Sequence, residues 1–278
     1  MRSVNNKIKI IRVPVPTPTL WPNTTTNSYL IGNEQESLLV DAGYDRPETK
    51  EELEKAIKEN KLAKPDKIVL THSHPDHAPG VRRLADWSPL VYCHKNEKEE
   101  IKKAISPMDH LAFLEEGDIL AVAGVKITII HGPGHTSGQL NLYIPSAEIL
   151  IAGDNIVAEG TTWIGAPDGD MRDYLDTLHR LKQLKLKKIG PGHGEWVLSP
   201  YEQIDFVINR RLQREKQIKS FLEEKGSLTS TQLTEMIYEN TIHPSVFDVA
   251  RRTTEAHLAK LMKEGLVSQK DSVYSLNS

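Results

Sequence analysis

The sequence predicts a layered α+β domain followed by a small, mostly helical one, and three observations carry that expectation. Through the first 200 residues, short apolar runs rich in Ile, Val and Leu are punctuated by Gly and Asp, the pattern of buried strands. Amphipathic segments lie between them, so helices are expected to cover sheet faces. From Pro200 the texture changes to long polar-sided helices, which divides the chain into residues 1–199 and 200–278.

Taken in order, strands are expected over 28–31, 38–41, 67–71, 90–92, 119–121, 125–131, 140–144, 148–152 and 187–190. Residues 47–62 place Leu53, Ala56 and Ile57 on one helical face, and 173–186 repeat Leu175, Leu178, Leu181 and Leu184. Beyond Pro200, Ile204, Ile208, Leu212, Phe221 and Leu222 mark one long helix that Gly226 ends. Helices over 230–238 and 253–264 and a hairpin over 266–275 complete the order of a winged-helix unit.

Composition removes several functional classes. Net charge is −3, from 35 Lys+Arg against 38 Asp+Glu, and residues 200–278 hold 11 basic and 11 acidic groups. No basic tail exists, which weakens a nucleic-acid reading. No apolar run approaches the roughly 18 residues of a membrane span. The N-terminus lacks the apolar core of a signal peptide and is interrupted at Pro14, Pro16 and Pro18. A single cysteine, Cys93, forms no intramolecular disulfide, so a cytoplasmic protein is expected.

The informative segment is Thr71-His72-Ser73-His74-Pro75-Asp76-His77, which leaves the apolar run Ile68-Val69-Leu70, and a helix is expected to start near Gly80. Three imidazoles and a carboxylate within six residues suit two adjacent divalent ions. Imidazole and carboxylate together suit zinc, manganese or iron, and the absence of a thiolate near the motif leaves the choice open. His135 in Gly132-Pro133-Gly134-His135, Asp154 in Ala152-Gly153-Asp154 and His193 in Gly190-Pro191-Gly192-His193 each follow a strand beside glycine. Ligands at the same end of successive strands make one site. His94, His110, His179, His243 and His257 are read as surface or structural, and His131 as a strand-end group.

These motifs, with Leu39-Val40-Asp41-Ala42-Gly43, resemble the metallo-β-lactamase superfamily over residues 8–200. The resemblance implies a four-layered αββα sandwich with a binuclear site along one edge. Carried over, His72, His74 and His135 hold the first metal, Asp76, His77 and His193 the second, and Asp154 bridges. Asp41 supports the ligands by hydrogen bonding, and Asp76 is also expected to be catalytic, orienting the nucleophile.

Departures narrow the group. Asp154 stands where the commonest di-zinc β-lactamases carry Cys, which disfavours antibiotic hydrolysis. His74 stands where flavodiiron relatives carry Glu. Glyoxalase II relatives share the H-x-H-x-D-H core, but residues 200–278 do not match their glutathione-binding part. Asn27-Ser28-Tyr29-Leu30, Gly153-Asp154 followed by Glu159-Gly160-Thr161-Thr162, and tail segments 233–238 and 257–261 resemble the lactamase-beta-like endoribonuclease group. Gln139 departs from it, at a place where relatives often have His.

The expectation is therefore a hydrolase in which two cations share a bridging hydroxide, leaning to phosphodiester cleavage of single-stranded RNA. The alternative is hydrolysis of small thioesters, esters or lactones. Arg251, Arg252, Lys260 and Lys263 invite a third reading, a nucleic-acid-binding tail. A solvated charged face over inward-packed Leu258, Leu261 and Met262 is the preferred account of them. The tail is expected to cap the site, shape substrate access or form a homodimer.

Overall fold

The computed structural model describes residues 8–18, 24–239 and 241–277. Two compact units are present. The first takes in residues up to 132 with 138–160 and 184–200; the second comprises 133–137, 161–183 and 201 onward.

The first unit is built on two sheets. In one, β1 (Lys9–Pro16), β2 (Thr25–Gly32) and β3 (Ser37–Val40) run antiparallel to their neighbours. After α1 (Pro47–Asn60), β4 (Lys67–Val69) pairs parallel to β3. Next, β5 (Leu90–Cys93) and, beyond α2 (Lys98–Ile105), β6 (Leu111–Phe113) extend the parallel set. The other sheet is a meander of β7 (Ile119–Val122), β8 (Val125–His131), β9 (Leu140–Ile144) and β10 (Ile149–Gly153), with β11 (Lys188–Pro191) added parallel to β10.

Apolar runs in the central strands are continuous because both strand faces are covered. Ile31, Leu38, Val40 and Val69 of the first sheet pack against Ile127, Ile129, Leu142 and Ile151 of the second. Their chain neighbours Leu30, Leu39 and Ile68 point the other way and meet Leu53 of α1, Ile101 of α2, and Leu84 and Trp87 of the 3₁₀ segment Pro79–Trp87. Cys93 is fully buried there, as expected of a small apolar side chain.

Three features depart from the sequence reading. The prolines that interrupt the N-terminus do not prevent a strand. Val13 and Val15 of β1 are buried while Pro14 and Pro16 are exposed. As the edge strand of its sheet, β1 tolerates the missing N–H groups. The helix expected near Gly80 is a 3₁₀ segment. The elements α2 and β6, unforeseen in a charged stretch, bury Ile101 and Ile105.

In the second unit, Asp170 caps α3 (Met171–Leu181) by accepting from the Arg172 and Asp173 N–H groups. Helix α4 (Pro200–Lys225) ends before Gly226, whose φ is +82°. Next come β12 (Ser227–Thr229), α5 (Ser230–Tyr238) with its Thr229–Gln232 capping box, α6 (Phe247–Lys263), β13 (Val267–Lys270) and β14 (Val273–Leu276). The strands join in the order β12-β14-β13, a winged helix whose core is Ile218, Leu222, Leu233, Leu258 and Leu261.

Two tail assignments need correction. Met262 is exposed rather than packed inward, and Lys260 is buried rather than solvated, because its ammonium is held by Glu215 at 2.9 Å. Arg251 pairs with Asp248 and Glu255, and Arg252 with Asp248. That internal pairing uses the cations a nucleic acid would need.

Candidate metal centre

The sheet topology gathers chemistry at one edge of the first unit. β3 and β4 are parallel, so Asp41 and the His72–His77 loop leave the same end. β10 and β11 are likewise parallel, so Asp154 and His193 emerge together. Backbone bonds tie these ends to one another: Leu140 N–H donates to the Thr71 carbonyl, Asn27 N–H to that of Gly192, and Gly192 N–H to that of Gly153.

Six of the residues expected from sequence converge there. The Nε2 of His77 lies 3.2 Å from Asp154 Oδ1 and 3.7 Å from Asp76 Oδ2. That of His193 lies 3.3 Å from Asp76 Oδ2 and 3.5 Å from Asp154 Oδ2. His72 lies between His74, edge-on, and His77, tilted, with ring centroids 4.5 and 4.2 Å away. Donor atoms of His72, His77 and Asp154, and of Asp76, His77 and His193, fall within 4.8 Å of one another.

The ring tautomers are set from behind. His193 Nδ1 donates to the Thr25 carbonyl at 3.0 Å, and His77 Nδ1 to Asp41 at 2.8 Å. Thr71 donates its hydroxyl proton to Asp41, so its oxygen accepts from His72 Nδ1 at 3.0 Å. All three rings therefore turn an Nε2 lone pair toward the carboxylates. Buried acceptors aimed at one another repel unless a positive charge sits among them.

The electrostatics say the same. Burial alone would lower His77, yet Asp154, Asp76 and Asp41 hold it well above the ordinary imidazole range. Against burial, Asp154 and Asp76 likewise carry His193 up to about 10. Burial would raise Asp154, but His193 and His77 hold it well below the usual carboxylate range. A buried set of imidazole nitrogens and carboxylate oxygens demanding positive charge fits divalent cations of the zinc, manganese or iron type.

Beyond Asp41, sequence reasoning missed several supports. Asp41 occupies the left-handed region at φ +57° and also accepts the Thr71 N–H at 2.7 Å. Thr26 donates to Asp76 Oδ2 at 2.9 Å. Buried Glu97 accepts the Ser73 and Gly138 N–H groups and pins the loops before His74 and β9. Tyr29 and Asn27 donate to the Pro191 carbonyl, steadying the His193 loop. Gln139 is buried and donates to the Leu140 and Ala152 carbonyls. Glycine is required at 192, where a Cβ would stand 1.9 Å from Asp154 Oδ1.

Other assignments sort as follows. His135 is buried in the second unit, with its Nδ1 2.8 Å from the Trp163 carbonyl oxygen. His94 and His131 stack on each other at 4.0 Å. His110 is exposed, and His257 is buried against Glu215.

The sequence profile of the metallo-beta-lactamase superfamily matches residues 21–193, more than half of the chain. The chain belongs to this superfamily. A second profile, the beta-lactamase associated winged helix domain, matches residues 229–275. Among metallo-β-lactamase relatives, a beta-lactamase-like protein 2 homolog of Caenorhabditis elegans is 30% identical over 87% of this chain and 80% of its own length. An atrochrysone carboxyl ACP thioesterase of Cryptosporiopsis is 24% identical over 94% and 81%. The crystal structure of a metallo-beta-lactamase family protein from Thermus thermophilus shares the fold, with TM-score 0.81, 23% identity and coverage of 96% and 98%. The protein is a metal-dependent hydrolase of this fold with a C-terminal winged helix. Among the described residues, no helix is long and apolar enough to cross a membrane.

Proposed function

We propose that this hydrolase cleaves an activated acyl compound, a thioester or ester, using water activated at a two-cation centre, with zinc as the metal. The observation that carries the reading is the set of Nε2 atoms and carboxylate oxygens aimed at one point, each ring locked from behind. His72, His74 and His135 would hold one cation and Asp76, His77 and His193 the other, with the Asp154 carboxylate available to both. Divalent cations held there would supply an activated water and a counter-charge for the developing oxyanion.

The residues of this chain supply the rest. Asp76 retains some exposure, so it orients the attacking water, accepts its proton and returns it to the departing thiolate or alkoxide. The acyl reading is favoured over phosphodiester cleavage by charge. Arg12, beside the His193 loop, is consumed by Glu195, the Asn27 side chain and the Gly194 carbonyl, which leaves it a poor phosphate clamp. The thioesterase relative points the same way. Burial pushes the Cys93 thiol up to about 12 and makes it unreactive, and the use of a single cysteine is the ground on which a cytoplasmic location is proposed.

RNA cleavage, the leaning drawn from sequence resemblance, uses the same centre and is the second reading. Zinc-loaded protein is offered an acyl thioester, a lactone and labelled single-stranded RNA side by side, with chelated protein as control. Metal-dependent thioester or ester turnover with intact RNA is expected. Metal-dependent RNA cleavage without acyl hydrolysis reverses the substrate assignment, and full activity in stripped protein overturns the mechanism.

A further inference from the structure

Two buried threonines stand behind the centre and belong to no ligand motif. Thr26 is fully buried on β2, and its hydroxyl donates to Asp76 Oδ2 at 2.9 Å. A hydroxyl has one proton, so the 2.9 Å contact between Thr17 and Thr26 must run from Thr17 to Thr26. The result is a directed chain, Thr17 to Thr26 to Asp76. The oxygen it grips is the one that faces His193 Nε2 at 3.3 Å and His77 Nε2 at 3.7 Å. Next in the chain, the Thr25 carbonyl accepts from His193 Nδ1. Consecutive residues of β2 thus hold two of the three ligands proposed for one cation, one by a hydroxyl and the other by a carbonyl.

The hairpin that carries them is braced at this end. Pro16 pairs with Thr25 and Val15 with Thr26, and the Thr17 N–H donates to the Thr24 carbonyl at 2.9 Å. The hydroxyl chain therefore has a fixed origin, and the Asp76 carboxylate cannot rotate without breaking it. His72 takes its support elsewhere, from Thr71 and Asp41.

We infer that Thr26, backed by Thr17, is a positioning residue that fixes Asp76 for the cation held with His77 and His193. Its loss weakens one of the two ions selectively. The inference rests on the reading that Asp76 is a metal ligand, and the test separates the two.

Zinc is titrated into stripped wild type, Thr26→Val, Thr26→Ser and Asp76→Asn against a chromophoric chelator, and both affinities are read, with thermal melts confirming folding. Loss of a hydrogen-bonded support behind a ligand typically costs 10–100-fold in metal affinity. Thr26→Val is expected to weaken one site by about 10–100-fold and leave the other within threefold. Thr26→Ser, which restores the donor, is expected to return to wild type. If Asp76→Asn loses a site while Thr26→Val binds both ions normally, the positioning role is overturned and the ligand reading stands. If Asp76→Asn also binds both normally, the ligand reading falls and the inference with it. Should Thr26→Val fail to fold, Thr17→Val, one hydroxyl further out, carries the same test with a smaller loss.

Discussion

Each unit buries histidine beside carboxylate, and the two clusters are built to opposite ends. In the winged helix, Glu215 is met by the Lys260 ammonium at 2.9 Å and by His257 Nδ1 at 3.3 Å. One negative charge faces one positive charge, and the imidazole is pressed neutral by its burial, to about 4. In the first unit, Asp41, Asp76 and Asp154 have imidazoles as their ion-pair partners, and those imidazoles are driven upward instead. The first arrangement is balanced in charge as it stands. The second is completed by added positive charge, which is what separates a ligand site from a structural cluster of the same residue types.

The sharpest way to break the contrast is to remove a carboxylate from the first cluster's centre of charge. Asp154→Ala takes away the residue whose two oxygens face His77 and His193. It is expected to lose at least one zinc equivalent by elemental analysis and more than about a thousandfold in thioester turnover, while the melting curve of the winged helix is retained. Retention of two metals would erase the distinction between the clusters.

The converse change comes next in size. Lys260→Met leaves Glu215 buried without its ammonium, and uncompensated burial of this kind costs about 3–5 kcal/mol. Chemical denaturation should show that loss, and Glu215→Leu combined with Lys260→Met should recover most of it. Metal content should be unchanged in both. A neutral Lys260→Met would mean that the pair is ordinary surface electrostatics.

A third test uses pH. Burial depresses His257 from about 6.5 to about 4, so between those values the unfolded chain binds a proton that the folded one refuses. Stability is complete above pH 6.5 and declines as pH falls toward 4, by about 3 kcal/mol for a shift of this size. Glu215, lowered despite its burial by His257 and Lys260, acts in the same direction at the acid end. Wild type should therefore lose melting temperature more steeply than His257→Gln between pH 6.5 and 4. Parallel slopes would show that His257 is not held neutral.

The contrast also explains what could be read without coordinates. His72, His74, Asp76, His77, Asp154 and His193 were legible because three imidazoles in six residues, and single ligands beside glycine after apolar runs, have few structural uses. Thr26, Thr71 and Glu97 were not, because a hydroxyl or carboxylate becomes a support only through a partner distant in sequence: 50 residues on for Thr26 and 41 for Glu97. Lys260 misled because a helix charge run is ordinarily solvated, and only the burial of Glu215 on α4 draws it inward. Strand β1 was hidden by Pro14 and Pro16, whose alternation with Val13 and Val15 was itself the edge-strand signal.

The smallest expected effect probes how the first cluster is held together rather than what it binds. Asp41 stands behind the ligand rings; it accepts from the Thr71 N–H, the Thr71 hydroxyl and His77 Nδ1, and through them it sets two of the rings. Asp41→Asn keeps the shape and one acceptor oxygen but offers an amide N–H where another acceptor is needed. His77 then loses the partner that fixes its tautomer, or Thr71 loses its own. Zinc affinity should fall by about 10–100-fold, with turnover recovering when metal is supplied in excess. Recovery by metal is the discriminating result. A variant that binds zinc normally but turns over slowly would place Asp41 among the groups that act on the reaction, and the winged-helix cluster, with no such dependence on added cation, provides the control within the same molecule.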